Sequence, residues 1–381
     1  MPVYYAIRAM LATMLTGDLA ANLRTARALA RVYARFEPRR VRRTMDTLGV
    51  AFPDMPEADR HEHALRAYEH LFVLGVEMCF TPRLVTPDTW PDHLRLGNLD
   101  RAVRPMLSGP CVMITGHCGN WELLGYAMAL LGFPFHALYR PLDLAPMDQW
   151  VRQTRGRRGL ILVDKYGAME QMPRLMAESR HVAFIADQNA GDRGLFVPFF
   201  NRLASTYKSI GLLALQYRAP IVCGQARRLV SERDARREHD VRSVADARDI
   251  GFDSYGDKPL QYRVDVLDVI TPEEWERQPD PLFYVSARYR RSLEQMVRKA
   301  PEQNLWLHRY WKSRPRHEHT GRPFPASLRA RIRALPWITD DDIARIEDWS
   351  ARDAAELRSG PRKPSAVPAP VTTAEPASAA P

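Results

Sequence analysis

Long hydrophobic runs are what this sequence lacks first. The apolar stretch at its start, Val3 to Leu15, is interrupted by Arg8 and is shorter than the ~20 residues a spanning helix needs. It has no convincing small-residue cleavage site, so neither a spanning helix nor a signal peptide is expected there. The stretch reads either as a buried core helix or as an in-plane membrane anchor. Cysteine is scarce as well. Cys79, Cys111, Cys118 and Cys223 form no CxxC pair and have no histidines at zinc-finger spacing, which points to a reduced compartment and away from a structural zinc site. There is no internal repeat and no recognisable nucleic-acid-reading motif, so the basic charge of the chain is not read as DNA or RNA binding.

What is present suits a globular enzyme. The 381 residues are 45% hydrophobic and 26% charged, which excludes both a disordered chain and a polytopic membrane protein. A net charge of +10 favours anionic partners, among them an anionic membrane or an acidic carrier protein. Part of that charge is patterned: Arg24, Arg27, Arg31 and Arg35 recur on one face of a helix expected from Leu23 to Phe36, beside an apolar face of Leu29, Val32, Tyr33 and Phe36. This pattern fits a helix lying on an anionic membrane surface. Pro38 ends the helix, and a second helix is expected from Glu57 to Met78.

The centre of the chain changes period. Short apolar runs at Cys111 to Thr115, Pro134 to Tyr139, Leu160 to Val163, Val182 to Ala186 and Pro220 to Cys223 alternate with helix-compatible stretches. That alternation predicts an α/β fold with a largely parallel sheet flanked by helices. Gly116-His117, Arg140 and Asp187-Gln188 follow three of these strands, and ligands bind beyond the carboxyl ends of strands in such sheets. A polar interval from Arg227 to Lys258 reads as a surface excursion, Gln261 to Val269 as a strand, and Arg288 to Trp311 as a helix broken at Pro301. The last stretch, Gly360 to Pro381, is rich in Pro, Ala, Ser and Thr and is expected to be disordered.

One run carries chemistry. In Thr115-Gly116-His117-Cys118-Gly119-Asn120-Trp121-Glu122, glycines flank the histidine and let the backbone turn sharply between a strand and a helix. Glu122, in the first helical turn, is placed to reach back to one ring nitrogen, fix the tautomer and support the imidazolium formed when the other nitrogen takes a proton. His117 and Glu122 are therefore the candidate catalytic pair, suited to deprotonating a substrate hydroxyl with no enzyme serine required. Metal binding ranks low, because no second histidine stands nearby at HExxH-like spacing. Cys118 reads as a small buried thiol.

This run resembles the HxxxxD/E motif of the glycerolipid and lipid A acyltransferase superfamily, in the HxGNWE form of the late lauroyl/myristoyl acyltransferases of lipid A biosynthesis. Further blocks follow in the same order: Tyr139-Arg140-Pro141-Leu142-Asp143, Asp187-Gln188 with Gly194 to Phe200, and Glu302 to Arg309. The resemblance spans roughly residues 40 to 315. Relatives commonly carry a longer apolar N-terminus, and Asn201 stands where a glycine often follows the Phe-Phe pair.

The resemblance implies an O-acyltransferase with a glycerolipid acyltransferase-like fold, moving a fatty-acyl chain from acyl carrier protein or acyl-CoA to a hydroxyl of a lipid A precursor or related glycolipid. It implies no cofactor beyond that donor. Arg140 and Asp187 are then candidates for substrate contact, with Asn120, Trp306, His308 and Arg309 beside them. Arg140, or amides near Gly119 and Asn120, are the expected stabilisers of the oxyanion. The organisation expected is an N-terminal helical membrane-associating segment over 1–80, a catalytic domain over 81–315, a helical extension over 316–359 and a tail over 360–381. The location implied is the cytoplasmic face of the bacterial inner membrane. Rival readings are another acceptor, such as a phosphatidylinositol mannoside or a lysophospholipid, and a non-catalytic peripheral lipid-binding protein.

Overall fold

The computed structural model describes residues 2–229 and 259–359. Four helices lead: α1 (Pro2–Thr16), α2 (Leu19–Phe36), α3 (Pro38–Ala51) and α4 (Glu57–Leu84). Asp18 caps α2 by accepting from the Ala21 amide, and Pro38 opens α3 where its missing N–H costs nothing. The small residues Ala26, Ala30 and Ala34 on the buried face of α2 let it lie close to α4. Among the described residues no helix is long and apolar enough to cross a membrane.

The α/β body follows as β1 (Leu94–Gly97), α5 (Asp100–Ser108), β2 (Val112–Thr115), α6 (Trp121–Leu130), β3 (His136–Tyr139), α7 (Ala145–Gly156), β4 (Ile161–Asp164), α8 (Ala168–Ala177) and β5 (Val182–Ile185). A two-stranded antiparallel ribbon of β6 (Leu195–Phe199) and β7 (Arg202–Thr206) leads into α9 (Lys208–Gln216), β8 (Ile221–Arg228) and β9 (Tyr262–Ile270). The main sheet has seven strands in the order β1-β9-β8-β2-β5-β3-β4, and only the β8–β9 pair is antiparallel. The largely parallel sheet read from the alternating apolar runs is thus present. Its central strands are apolar because buried clusters pack against both faces: Val112, Ile114 and Val182 belong to one, Val222, Val264 and Val266 to the other.

Beyond the sheet come α10 (Pro272–Trp275), α11 (Pro281–Lys299), α12 (Arg316–His319), α13 (Ala326–Arg333) and α14 (Asp340–Ser359). The last helices share the main core through Ile332, Leu335, Ile343 and Ile346. Asp353 on α14 binds both Arg202 of β7 and Arg314, so the C-terminal helices brace the β6–β7 ribbon.

Three expectations need correction. The helix expected to reach Trp311 stops at Lys299, and residues 304–312 form an irregular segment held by side chains such as Trp306, whose Nε1 donates to the Pro301 carbonyl at 2.6 Å. Arg227 and Arg228 belong to β8, not to a surface excursion, because Arg228 buries its charge against Glu77. Strands β1, β6 and β7 were not anticipated. The expected excursion from 230 to 258 and the tail from 360 to 381 lie outside the described residues.

Candidate active site

The chain leaves β2 at Thr115 and enters α6 at Trp121, and the turn between them holds His117 at the carboxyl end of the sheet. A Cβ at Gly116 would stand 3.1 Å from Leu293 Cδ2, a tight approach, and 3.4 Å from the Asp187 Cβ, an ordinary contact. Gly119 has φ +71°, and a Cβ there would stand 2.1 Å from the Ala226 carbonyl oxygen. Only glycine fits. The turn is tied on every side: Gly119 N donates to the Gln303 carbonyl at 2.9 Å, Asn120 N to the Ala226 carbonyl at 2.7 Å, and Leu305 N to the His117 carbonyl at 2.8 Å. His70 of α4 lies 3.0 Å from the Gly119 carbonyl through its Nε2.

The carboxylate that meets His117 is Asp187, not Glu122. Asp187 Oδ1 lies 2.8 Å from His117 Nδ1, and Oδ2 accepts the His117 amide at 2.9 Å. The bidentate grip fixes ring and backbone together, and it assigns the Nδ1 proton to the side facing the carboxylate. Nε2 has no hydrogen-bond partner among the described residues, and the side chain is 15% exposed. Burial pushes the Asp187 carboxyl up, but the His117 ring, its hydrogen bonds and His308 outweigh this and hold it down at about 2. The His308 ring stands 4.5 Å from that of His117, and burial followed by the neighbouring His117 drives it down to about 4. Trp121 closes another side, its ring 4.9 Å from that of His117.

Glu122 does lie in the first turn of α6, but it faces Arg155 of α7. Arg155 grips it with two nitrogens, Nε to Oε2 at 2.7 Å and Nη2 to Oε1, and Trp121 Nε1 donates to Oε1 at 3.2 Å. Both charged side chains line an otherwise largely apolar groove between the sheet and helices α5 and α6, part of it open to solvent. Met113, Met128, Phe135, Leu162, Phe184 and Val264 line it, as do Thr115 and Trp121, and the Trp121 ring stands 4.9 Å from that of His117. A site built this way presents an unblocked imidazole nitrogen close to Trp121, one wall of an apolar groove. It can take a proton from a hydroxyl while an apolar chain lies alongside.

The other sequence candidates disperse. Asn120 is 1% exposed: it caps α6 by accepting from Leu123 N at 2.9 Å and donates to Glu77 and Tyr262 at 3.3 Å. Trp306 is buried among Phe52, Phe200 and Tyr310, while Arg309 is exposed. Arg140 is exposed at the end of β3, whereas Arg155 is the arginine that reaches the turn. The amides of Gly119 and Asn120 are already bonded, which removes them as oxyanion donors; those of Trp121 and Glu122 have no acceptor among the described residues. Arg24, Arg27 and Arg35 are exposed as expected, but Arg31 pairs with Glu62 and Glu69 of α4. Burial and nearby carboxylates push the Cys118 thiol well above its usual range, so it is no nucleophile. Among the described residues no three His, Cys, Asp or Glu side chains converge as a metal site would require.

Sequence reasoning missed Arg155 and a buried cluster under the turn. In that cluster Arg228 binds Glu77, whose side chain is fully buried, together with Tyr262, and sits 3.2 Å from His70 Nδ1. A basic residue directly after the second expected strand, Arg140, outcompeted Arg155, which sits unmarked within a helix. The buried Glu77 had no signal at all within its helix.

Residues 2–232, more than half of the chain, match the family model of the bacterial lipid A biosynthesis acyltransferases. The lipid A biosynthesis palmitoleoyltransferase of Escherichia coli (strain K12) is 29% identical over 236 residues, covering 59% of this chain and 65% of the relative. The lipid A biosynthesis acyltransferase of Shigella flexneri matches with the same identity and coverage. The chain therefore spans 65% of the length of these curated relatives. The match includes His117, Glu122, Arg155 and Asp187 and the N-terminal helices, and it ends before the closing segment that carries His308.

Proposed function

The chain belongs to the bacterial lipid A biosynthesis acyltransferase family, and from that membership we propose that it moves a fatty-acyl chain from a carrier thioester to a hydroxyl of a lipid A-type acceptor. The observation that carries this reading is the unpartnered Nε2 of His117, whose ring stands 4.9 Å from that of Trp121, a residue lining the apolar groove. Asp187 holds the Nδ1 proton, so Nε2 is the basic nitrogen and points to where the acceptor hydroxyl would stand. As the oxygen attacks the thioester carbonyl carbon, its proton passes to Nε2. The tetrahedral intermediate collapses by breaking the C–S bond, and the imidazolium returns the proton to the leaving thiolate. Asp187 stabilises the imidazolium meanwhile. The free amides of Trp121 and Glu122, at the positive end of α6, are the donors best placed for the oxyanion.

The groove would hold the acyl chain, and Gly125 gives the means to test this. A Cβ there would already sit 3.3 Å from Leu160, so Gly125→Leu fills groove space. Purified protein is given acyl thioesters of graded length, on acyl carrier protein and on coenzyme A, with a lipid A-type acceptor, and the product is weighed by mass spectrometry. The wild type should transfer acyl groups, His117→Ala should not, and Gly125→Leu should favour shorter chains. No transfer from any donor would end the reading.

The N-terminal helices would hold the protein on the membrane. Arg24, Arg27 and Arg35 are exposed beside Leu29, Val32 and Phe36 of α2, and Tyr5 and Met10 of α1 are exposed as well. Each basic residue near an anionic surface contributes ~1 kcal/mol. Changing Arg24, Arg27 and Arg35 to Gln should weaken sedimentation with anionic vesicles, most clearly at low salt, and equal binding at all salt concentrations would refute that placement.

A further inference from the structure

Arg290 is fully buried on α11, directly behind the candidate site, and it has no carboxylate in contact. Its Nη1 donates to the main-chain oxygens of Ala186 at 3.1 Å and Asp187 at 2.7 Å. Nε and Nη2 are buried with no acceptor. The guanidinium instead lies over the Phe199 ring, 4.1 Å from its centroid, with Tyr310 at 6.0 Å. A buried guanidinium with two idle donors is costly, and an apolar side chain of similar length would serve the core better.

We propose that Arg290 is a positioning residue for His117: its buried charge, held against the main chain of Asp187, limits the proton affinity of the ring that this carboxylate grips. This rests on the reading of His117 as a base. A carboxylate beside an imidazole raises its hold on a proton, and a base that keeps its proton at neutral pH cannot take one from an alcohol. A cation behind the carboxylate opposes that rise. The titratable groups facing Arg290 are Asp187, Tyr207, Tyr289 and Tyr310, of which Asp187 is the one that is charged at neutral pH. Those facing His117 are Asp187 and His308, beside Trp121. Arg290 is therefore the cation held behind this pair: burial lowers its hold on the proton and Asp187 opposes that lowering, and a guanidinium stays protonated in proteins.

The test needs no turnover, so it is separable from the acyl-transfer assay. The pH at which the His117 ring gains its proton is followed by NMR in the full chain, with the signal assigned by its loss in His117→Ala. In Arg290→Met that midpoint should rise by roughly one pH unit, while the melting temperature stays close to that of the parent. Arg290→Lys, which keeps the charge, should leave the midpoint near the parental value. If transfer activity is found, Arg290→Met should lose more of it at pH 6 than at pH 9, whereas a purely structural role would depress the rate equally at both. An unchanged midpoint in folded Arg290→Met overturns the proposal, and so does an equal rise in Arg290→Lys. If neither Arg290→Met nor Arg290→Gln folds, Arg290 is a structural residue and the proposal is likewise wrong. Absence of acyl transfer with the shift present would refute the function and spare the electrostatic assignment.

Discussion

Two carboxylates flank the turn between β2 and α6, and they hold opposite partners. Asp187 is buried, grips both the ring and the amide of His117, and lies behind the sheet end. Glu122 faces the groove and is taken up by Arg155. One carboxylate is thus spent on fixing an imidazole, the other on neutralising a guanidinium beside an apolar channel. The difference teaches that proximity in sequence did not decide the pairing. The aspartate 70 residues away reaches His117 because β5 is the parallel neighbour of β2, whereas Glu122, one residue into α6, turns toward α7.

The first way to sharpen the contrast carries the largest effect. His117→Ala and Asp187→Ala should each reduce the proposed acyl transfer by ~10²–10⁴-fold, and the double variant should be little worse than either, because the two act as one unit. Additive losses in steady-state kinetics would separate Asp187 from the base. Arg155→Gln should do less, about tenfold, as expected for a residue that orders a wall of the groove through a charge-assisted pair and does not touch the transferred proton. A loss as deep as that of His117→Ala would move the centre of the chemistry to the Glu122 side.

Legibility in the sequence followed how local each signal was. The sheet was readable because Val112, Ile114, Val182 and Ile221 are buried in short continuous apolar runs. His117 was readable because its flanking glycines answer local demands, a close approach at Gly116 and a positive φ at Gly119. Asp187 stands out in the sequence, but its pairing with His117 does not, since strand order, not spacing, brings the two together. Arg140 was favoured over Arg155 for the same reason: a strand end is visible in sequence, whereas the face of α7 that meets α6 is not. Helical propensity misled at 304–312, where the buried rings of Trp306, Tyr310 and Trp311 hold an irregular path against local preference.

The smallest expected effect concerns acid stability. Asp187 is held at about 2, against about 3.9 for a free aspartate. Its ionisation therefore stabilises the fold fully above pH ~4, and that contribution is lost as pH falls through about 2. His308, driven down to about 4, resists the proton that the unfolded chain accepts near pH 6.5. Its penalty therefore grows as pH falls from ~6.5 to about 4. Thermal melts across pH should show the upper loss shrink in His308→Gln and the lower one in Asp187→Asn. Identical pH dependence in all three proteins would mean that neither group is held as the geometry implies.

The central claim, that His117 works with Asp187 and not with Glu122, is tested most directly by one ratio. The kcat/KM for acyl transfer to a lipid A-type acceptor is measured side by side for Asp187→Asn and Glu122→Gln. Asparagine keeps the shape of aspartate but offers an N–H that favours the wrong imidazole tautomer, so Asp187→Asn should fall ~10³-fold or more. Glu122→Gln should fall no more than about tenfold, since glutamine can still bond Arg155. The reverse order, with Glu122→Gln inactive and Asp187→Asn near wild type, would contradict the account.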